Sequence, residues 1–252
     1  MEKPKYNTWI RKNKIVTSAI LAVLLLVLAA LWLNLVISVV AFVLAVTFIY
    51  ITFMLSYNYY QFSANGGDYQ TKIHETIIRQ IASGEGKLLD IGSGSGSLII
   101  KAAKAFPNIT ATGLDNWGSE WSDYSQKLCE SNAGTEGVAG RINFVQGSAA
   151  KLPFNNHAFD IVISCLTFHE VKDEANKANL LRESLRVLKN GGEFAFMDLF
   201  ASEKVFGKLN DLMASLNVSK IEAARLDAIM PLPKLLMTKR SLGYAMILKG
   251  VK

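Results

Sequence analysis

Two patterns of apolar residues divide the chain. Residues 15–55 run for 41 positions without a charged side chain, a glycine or a proline, and no charge occurs between residues 15 and 67. A single helix needs about 20 apolar residues to cross a hydrocarbon core of about 30 Å. The length of the run is therefore typical of two membrane spans.

We interpret this run as a helical hairpin with shortened spans, in which Trp32 and Asn34 lie near the turn. Helix–helix connections usually take about 2–8 residues, and the run contains no strong helix breaker. One span followed by a segment on the membrane surface therefore stays open as an alternative. A cleaved signal peptide is disfavoured, because its apolar region has only about 7–15 residues.

Beyond residue 71, short apolar runs alternate with segments of helical periodicity. Four isoleucines at helical spacing, between residues 73 and 81, open this region. The expected strands cover residues 87–91, 110–114, 141–145, 160–164, 192–199 and 239–249, and the expected helices cover residues 97–106, 120–131, 173–188 and 202–216. This alternation predicts an α/β fold with a doubly wound, mostly parallel sheet, which binds ligands at the carboxyl ends of its strands.

The pattern gives four segments. Residues 1–14 form a basic tail, residues 15–55 a transmembrane helical hairpin, residues 56–71 an interface and linker, and residues 72–252 one α/β domain. The tail carries a net charge of +4 out of +6 for the whole chain. Basic residues beside a first span mark the cytoplasmic side. With two spans, the α/β domain also lies on the cytoplasmic side, and a nucleic-acid partner is not expected.

Aromatic and sulfur-containing residues agree with this interpretation. Tyr57, Tyr59 and Tyr60 follow the apolar run, where an aromatic belt at the membrane interface is expected. The two cysteines, Cys129 and Cys165, follow no disulfide spacing pattern, which suits a reducing compartment. The three histidines lie far apart in sequence, so we expect no metal site.

The candidate chemistry begins where the first expected strand ends, in the sequence LLDIGSGSGSL at residues 88–98. Glycines there let the backbone turn sharply and approach a ligand closely. The helix that follows offers unpaired N–H groups at its N-terminus. Asp115 ends the next strand, nineteen residues after Gly96, which is the spacing of an acidic residue that binds ribose hydroxyls. The pattern predicts a site for a ribose-bearing cofactor.

The glycine spacing helps to choose the cofactor. A dinucleotide fingerprint has the form Gly-x-Gly-x-x-Gly, whereas this chain has Gly-x-Gly-x-Gly. Asp90 precedes the loop and would repel a pyrophosphate, but it would suit a cofactor that carries sulfonium and ammonium groups. A nicotinamide-dependent oxidoreductase is the less favoured alternative.

Further motifs follow the glycine loop in order. They are QGSAAKLPF at residues 146–154, AFDIVISC at 158–165, FHE at 168–170 and LRVLKNGG at 185–192. Together with the loop, they resemble the ubiquinone/menaquinone-biosynthesis type of class I methyltransferases that depend on S-adenosylmethionine (SAM). The resemblance covers about half of the chain, from residue 72 to residue 198.

The resemblance implies a seven-stranded Rossmann-like methyltransferase fold, SAM as the cofactor and a small-molecule methyl acceptor. The cofactor-binding residues that it implies are Asp90, Gly92, Ser93, Gly94, Gly96, Asp115, Asn116, Ser148 and Ala149. Two residues depart from the family pattern. Ser148 replaces a common acidic residue, and its hydroxyl is a weaker acceptor for the adenine amino group than a carboxylate. Asn190 replaces a proline before two glycines, where Asn-Gly is itself a good turn pair.

His169 is the candidate catalytic residue, because it follows the strand whose carboxyl end is expected beside the SAM methyl group. Its unperturbed pKa near 6.5 suits the removal of a proton from a nucleophile at neutral pH. The competing interpretation is that it fills the pocket wall. The expected protein is a membrane-anchored methyltransferase with a small, lipid-like acceptor and the bilayer as partners. A non-catalytic SAM-binding membrane protein is the second alternative.

Overall fold

The computed structural model describes residues 3–31, 34–118 and 123–252. The chain forms two compact units. One unit is Thr8–Gln70, and the other is Thr71–Lys252 together with the N-terminal residues up to Asn7. Residues 3–7 therefore pack with the C-terminal unit.

The first unit contains two long helices, α1 (Lys12–Ala30) and α2 (Leu35–Phe62). Asn34 begins α2, since its Oδ1 accepts hydrogen bonds from the N–H groups of Val36 at 2.9 Å and Ile37 at 3.4 Å. Asn34 thus lies at the turn, as expected, whereas Trp32 lies outside the described residues. Helix α2 extends beyond residue 55 because the first turn-forming residues follow Phe62.

The hairpin buries small side chains. The buried positions of its two apolar stretches are Ser18, Ala22, Ser38, Ala41 and Ala45. Among the described residues, every exposed large apolar side chain except Leu235 lies between residues 16 and 60. Small residues allow close helix approach in lipid. The two helices are long and apolar enough to cross a membrane.

The second unit is built on a seven-stranded sheet. Its strands are β1 (Glu85–Ile91), β2 (Asn108–Asp115), β3 (Ile142–Gln146), β4 (Phe159–Cys165), β5 (Leu188–Asp198), β6 (Lys220–Arg225) and β7 (Met246–Val251). Their order is β3-β2-β1-β4-β5-β7-β6. Strands β1 to β5 are parallel, and β7 is antiparallel to β5 and β6. The expected α/β fold with a mostly parallel, seven-stranded sheet is confirmed.

Seven further helices belong to the described part of the chain. They are α3 (Tyr69–Ile78), α4 (Ser97–Ala105), α5 (Gln126–Thr135), α6 (Lys177–Val187), α7 (Glu203–Phe206), α8 (Leu209–Ala214) and α9 (Leu226–Ile229). Four fully buried aromatic side chains lie in the core beside the sheet, namely Phe168, Phe194, Phe196 and Phe200.

The strand order reverses between the neighbouring strands β1 and β4. Ligands of doubly wound folds bind at such a point, outside the carboxyl ends of the strands.

Several elements differ from the expected ones, among them the helix expected over residues 202–216, which is divided into α7 and α8 around Gly207 with φ of 71°. The final strand begins at Met246 rather than residue 239, since the preceding residues form turns and a short 3₁₀ helix. The helix expected from residue 120 begins at Gln126, because the Ser125 hydroxyl accepts the Leu128 N–H and caps it; residues 119–122 lie outside the described chain. Strand β6 was not expected, because its sequence KIEAAR is charged and half exposed, as suits a sheet edge.

Candidate active site

The glycine loop between β1 and α4 uses its three glycines in different ways. All three have positive φ, at 80° for Gly92, 55° for Gly94 and 79° for Gly96. A Cβ on Gly92 would lie 2.0 Å from the Thr167 hydroxyl oxygen, so this glycine permits close packing. The atoms nearest to a Cβ on Gly94, among the described residues, belong to the Tyr124 ring and begin at 3.6 Å. Gly94 therefore borders the more open side of the loop.

Asp115 and Trp117 hold the Gly94 peptide from both sides. The Asp115 carboxylate accepts the Gly94 N–H at 2.8 Å and the Trp117 N–H at 2.9 Å. The Trp117 indole donates to the Gly94 carbonyl at 3.0 Å. Burial raises the pKa of Asp115, and the backbone hydrogen bonds oppose that rise. The predicted ribose-binding residue thus also fixes the shape of the loop.

Asp90 is a fully buried carboxyl group at the end of β1. Neither of its oxygens has a partner at normal hydrogen-bond geometry among the described residues, and the nearby Ile99 N–H only partly offsets burial. Burial, reinforced by the nearby Asp115, raises the pKa of Asp90 to about 8. A buried carboxyl without partners is costly, and a cation would relieve that cost. The site therefore fits the sulfonium and ammonium groups of SAM better than a pyrophosphate.

The residues predicted around the adenine lie at the ends of β2 and β3. The Ser148 hydroxyl donates to Asp173 at 2.8 Å and accepts the Ala150 N–H at 3.1 Å. Asp173 thus brings a carboxylate to the position where Ser148 replaces the family's acidic residue. The Asn116 carbonyl accepts a hydrogen bond from Gln146 at 3.0 Å. Ala149 packs in the hydrophobic core, which leaves its backbone as the part that can face a ligand.

His169 pairs with a residue that the sequence reasoning missed. Its Nδ1 lies 2.6 Å from Oδ1 of Asp198, the last residue of β5, and its Nε2 lies 3.5 Å from Glu170. Asp198 is fully buried and also accepts the Phe168 N–H at 2.8 Å. A carboxylate directly after an apolar strand was the signal that identified Asp90 and Asp115, and the same signal applies to Asp198.

The charge on this pair follows from its surroundings. Burial lowers the pKa of His169, but the charge and hydrogen bond of Asp198 outweigh burial and raise that pKa to about 10. At this pKa the imidazolium form of His169 predominates at neutral pH, and this form does not suit the expected role of a base. It is held as a hydrogen-bond donor whose Nδ1 position is fixed.

Two non-glycine residues with left-handed backbone conformations border the site. Trp117 has φ of 40° beyond β2, and Leu166 has φ of 53° beyond β4. Such conformations cost about 1–3 kcal/mol each, and their surroundings hold them. Here Leu166 donates its N–H to the Met197 carbonyl at 2.7 Å. The strain lies beside the carboxyl ends of the central strands.

The strand order, the glycine loop and the buried carboxyl groups define a nucleotide-type α/β site at the switch point between β1 and β4. Residues 89–196 match the family model described as a methyltransferase domain. Residues 89–196 thus form a SAM-dependent methyltransferase domain, and its relatives include methyltransferases of ubiquinone/menaquinone biosynthesis. The enzyme class and the cofactor expected from the motifs are confirmed for this family.

Two curated relatives show the range of the likeness. The ubiquinone/menaquinone biosynthesis C-methyltransferase UbiE of Pseudomonas putida (strain W619) is 32% identical over 169 residues, covering 66% of this chain and 58% of the relative. The phthiotriol/phenolphthiotriol dimycocerosates methyltransferase of Mycobacterium leprae (strain TN) is 32% identical over 132 residues, covering 52% and 44%. The chain spans less than two thirds of the length of these relatives.

A solved structure supports the fold. Geranyl diphosphate methyltransferase in complex with SAM superposes with a TM-score of 0.54 at 11% identity, over 72% of this chain and 84% of that one. At this identity, the likeness concerns the fold alone.

Proposed function

We propose that this chain is a membrane-anchored enzyme that transfers a methyl group from SAM to a small, lipophilic acceptor. The observation that carries the proposal is the combination of Asp90, a buried carboxyl without a partner, with a helical hairpin that exposes its large apolar side chains. The first feature suits a cationic methyl donor, and the second suits a bilayer.

The residues of the glycine loop bind the cofactor in this proposal. SAM supplies a methyl group activated by a sulfonium centre when it is bound. Asp115 accepts hydrogen bonds from the ribose hydroxyls with the lone pairs that Gly94 and Trp117 leave available. Asp90 faces the positive end, and Ser148 with Asp173 accepts the adenine amino group. Asn116, Ser93 and the Ala149 backbone complete the contacts.

His169 acts on the methyl acceptor. The hydrogen bond between Asp198 and Nδ1 fixes the orientation of the imidazole ring. The other ring nitrogen, Nε2, therefore has a defined direction. With a raised pKa, His169 holds a proton at Nε2, which lies 3.5 Å from Glu170 in the ligand-free site. An oxygen of the bound acceptor replaces Glu170 as the hydrogen-bond partner of this proton. Methyl transfer is helped chiefly by holding the nucleophile in line with the methyl group at near-attack distance.

The tail and the methyltransferase domain lie on the same side of the membrane. The backbone N–H of Lys5 donates to Asn132 of α5 at 2.8 Å, and the Asn7 side chain donates to the Asp123 carbonyl at 2.9 Å. A chain that leaves one side of a bilayer and returns to it crosses an even number of times, which favours two spans over one. The basic tail makes that side cytoplasmic.

A lipophilic acceptor explains why an anchor accompanies this domain. Such a molecule partitions into the bilayer, with burial favourable by about 0.8 kcal/mol per CH₂. An enzyme tethered at the surface then meets it at a raised effective concentration. The names of the relatives, which concern quinone biosynthesis and dimycocerosates, support acceptors of this chemical class.

The test uses the full chain reconstituted into vesicles, with SAM that carries a labelled methyl group. A hydroquinone with a long prenyl tail in the vesicle and its tail-free, water-soluble analogue are the two acceptors. We expect label to enter the prenylated acceptor at the higher rate and His169→Ala to slow that transfer. Equal rates on both acceptors would remove the lipophilic requirement.

Two alternatives have separate tests. Calorimetry that detects binding of NAD but not of SAM would favour an oxidoreductase. Binding of SAM without transfer to any acceptor in extracts of the membrane would favour a non-catalytic sensor.

A further inference from the structure

The N-terminal strap, which we define as residues 3–7, contacts the methyltransferase domain beside the glycine loop. We propose that this strap positions the cofactor loop through Asn132, so that the segment preceding the first membrane helix takes part in cofactor binding. The consequence for SAM affinity rests on the proposed function, whereas the effect on the loop does not.

Asn132 joins the strap to the loop with one side chain. It is 2% exposed, so its amide needs partners within the protein. Its Oδ1 accepts the Lys5 N–H at 2.8 Å, and its Nδ2 donates to the Lys5 carbonyl at 3.2 Å and to the Ser95 carbonyl at 2.9 Å. Both bonds to Lys5 fix the plane of the amide, and the remaining N–H then points at the loop.

Helix α5 provides a second loop contact on the same face. Cys129, one turn before Asn132, donates its S–H to the Gly94 carbonyl at 3.1 Å. Residues three apart on a helix share a face. Cys129 and Asn132 on this face of α5 therefore donate to two successive carbonyls of the loop. The strap contacts one of these two residues, Asn132.

Tyr6 gives the strap a second connection to the loop, through α4. Its hydroxyl donates to Glu136 at 3.5 Å, and the Lys101 ammonium lies 4.5 Å from the centre of its ring. Lys101 also donates to the hydroxyl of Ser97, the first residue of α4, at 2.8 Å. Burial raises the pKa of Tyr6, so the hydroxyl stays a neutral donor.

The third contact reaches the chain beside the open face of the loop. Asn7 donates to the Asp123 carbonyl, and the neighbouring Tyr124 is the side chain nearest to the space beside Gly94. The strap thus touches residues next to the loop at Asn132, Lys101 and Asp123. A segment with only a cytoplasmic targeting role requires none of these contacts.

The test removes one backbone hydrogen bond from the full chain in detergent or nanodiscs. Lys5→Pro lacks the N–H that Asn132 accepts, and Lys5→Ala is the matched control, since it loses the same charge and keeps the N–H. On a second pair, Asn132→Ala removes the coupling amide, and Ser131→Ala changes an exposed neighbour on α5. Each variant is measured twice, for hydrogen exchange of residues 92–97 without ligand and for SAM affinity.

We expect the loop amides to exchange faster in the Lys5→Pro variant than in the Lys5→Ala variant. We also expect the Lys5→Pro variant to bind SAM about three- to tenfold more weakly than the Lys5→Ala variant, as the loss of one hydrogen bond implies. Asn132→Ala should exceed that effect, and combining it with Lys5→Pro should add nothing further. Equal loop exchange in Lys5→Pro and Lys5→Ala would overturn the inference. A wild-type chain that binds no SAM while the exchange difference persists would instead overturn the proposed function and leave the strap intact.

Discussion

The hairpin and the methyltransferase domain bury opposite kinds of side chain. Between its helices the hairpin buries Ala22, Ala41 and Ala45, and most of its large apolar side chains between residues 16 and 60 are exposed. The domain buries its largest side chains, among them Phe194 and Phe196. Under the proposed membrane anchoring, each unit is packed for a different solvent.

The difference follows from the driving force in each medium. In water, removing apolar surface is the main favourable term, so the domain gathers its aromatic residues around the sheet. In lipid, the tails are as apolar as the side chains, and helices associate through close packing of small residues and interhelical hydrogen bonds. The bond from Thr52 to Ser18, at 2.9 Å, is of that kind.

The same substitution in both units should give the sharpest contrast. Phe196 is fully buried, with the Phe168 ring 5.3 Å and the Phe194 ring 5.1 Å away. We expect Phe196→Ala to destabilise the domain by about 3–5 kcal/mol, as buried Phe→Ala changes do. The measurement is urea unfolding of the full chain in detergent, followed by near-ultraviolet circular dichroism.

Phe42→Ala is the matched control, because Phe42 is 56% exposed on α2. It should leave the unfolding midpoint of the domain unchanged. A comparable loss from both substitutions would mean that the outward phenylalanine is packed against protein, and the contrast between the units would fail.

How far the sequence predicts the structure differs between the units in the same way. The hairpin and the alternation of strands and helices follow from composition and periodicity. Strand β6 does not, since its partner β7 is a distant segment and its own residues Lys220–Arg225 are charged and alanine-rich. Pairing with β7, rather than local propensity, decides that strand.

Asp115 should have the next largest effect. Asp115→Ala removes the acceptor of two backbone N–H groups in the loop and the predicted acceptor of the ribose hydroxyls. A hydrogen bond to a charged group contributes about 1.5–3 kcal/mol, so the loss of even one should lower SAM affinity by a factor of roughly 10 to 160. Calorimetry measures the loss of affinity. Asp115→Asn keeps one acceptor oxygen, so its SAM affinity should lie between that of Asp115→Ala and that of wild type.

The polar pair of the hairpin is the counterpart of this contact. Ser18→Ala should weaken the association of α1 and α2 by only about 0.6 kcal/mol, the average for interhelical hydrogen bonds in a membrane protein.

For the cofactor site, an unchanged SAM affinity in the Asp115→Ala variant would show that Asp115 does not bind the cofactor.

The seam of the hairpin gives a third test. Ala45 is fully buried on α2, and Ala45→Leu should push α1 and α2 apart at a cost of about 1–3 kcal/mol, as overpacking does. The readout is the yield of a cross-link between cysteines placed at residues 18 and 52, measured in vesicles. Leu44→Ala, at a position 43% exposed, should leave the yield unchanged, and equal yields in both variants would contradict the small-residue seam.

The candidate site was predictable where one residue carries its own signal. The glycine loop, Asp90, Asp115 and Ser148 follow from local motifs. The pairing of His169 with Asp198, and of Ser148 with Asp173, joins residues 29 and 25 positions apart. No local pattern specifies those contacts, because they depend on how β5 and the loop before α6 meet the neighbouring strand ends.

The last effect concerns Asp90 and the pH. In the ligand-free site its pKa is about 8, so it is mostly protonated at pH 7, and a bound cation favours its ionised form. Binding of SAM at pH 7 should therefore release a proton. The affinity, after correction for titration of the ligand's own amino group, should rise about tenfold between pH 7 and pH 9 before levelling off. Calorimetry in buffers of different ionisation enthalpy counts the proton that is released.

The direction of this effect distinguishes Asp90 from the other groups of the site. Asp90→Asn cannot release that proton, so its affinity should be flat over the same pH range. S-Adenosylhomocysteine has the same amino group but an uncharged thioether, and a weaker pH dependence for it would assign the effect to the sulfonium. An equal pH dependence of affinity for both ligands would instead indicate that Asp90 interacts with the ammonium group. If the affinity of Asp90→Asn varied with pH as strongly as that of wild type, Asp90 would not be the group that titrates.

The hairpin has no counterpart to this buried carboxyl, since residues 15–67 contain no charged side chain. Truncations within the hairpin should therefore leave the pH dependence of SAM affinity unchanged.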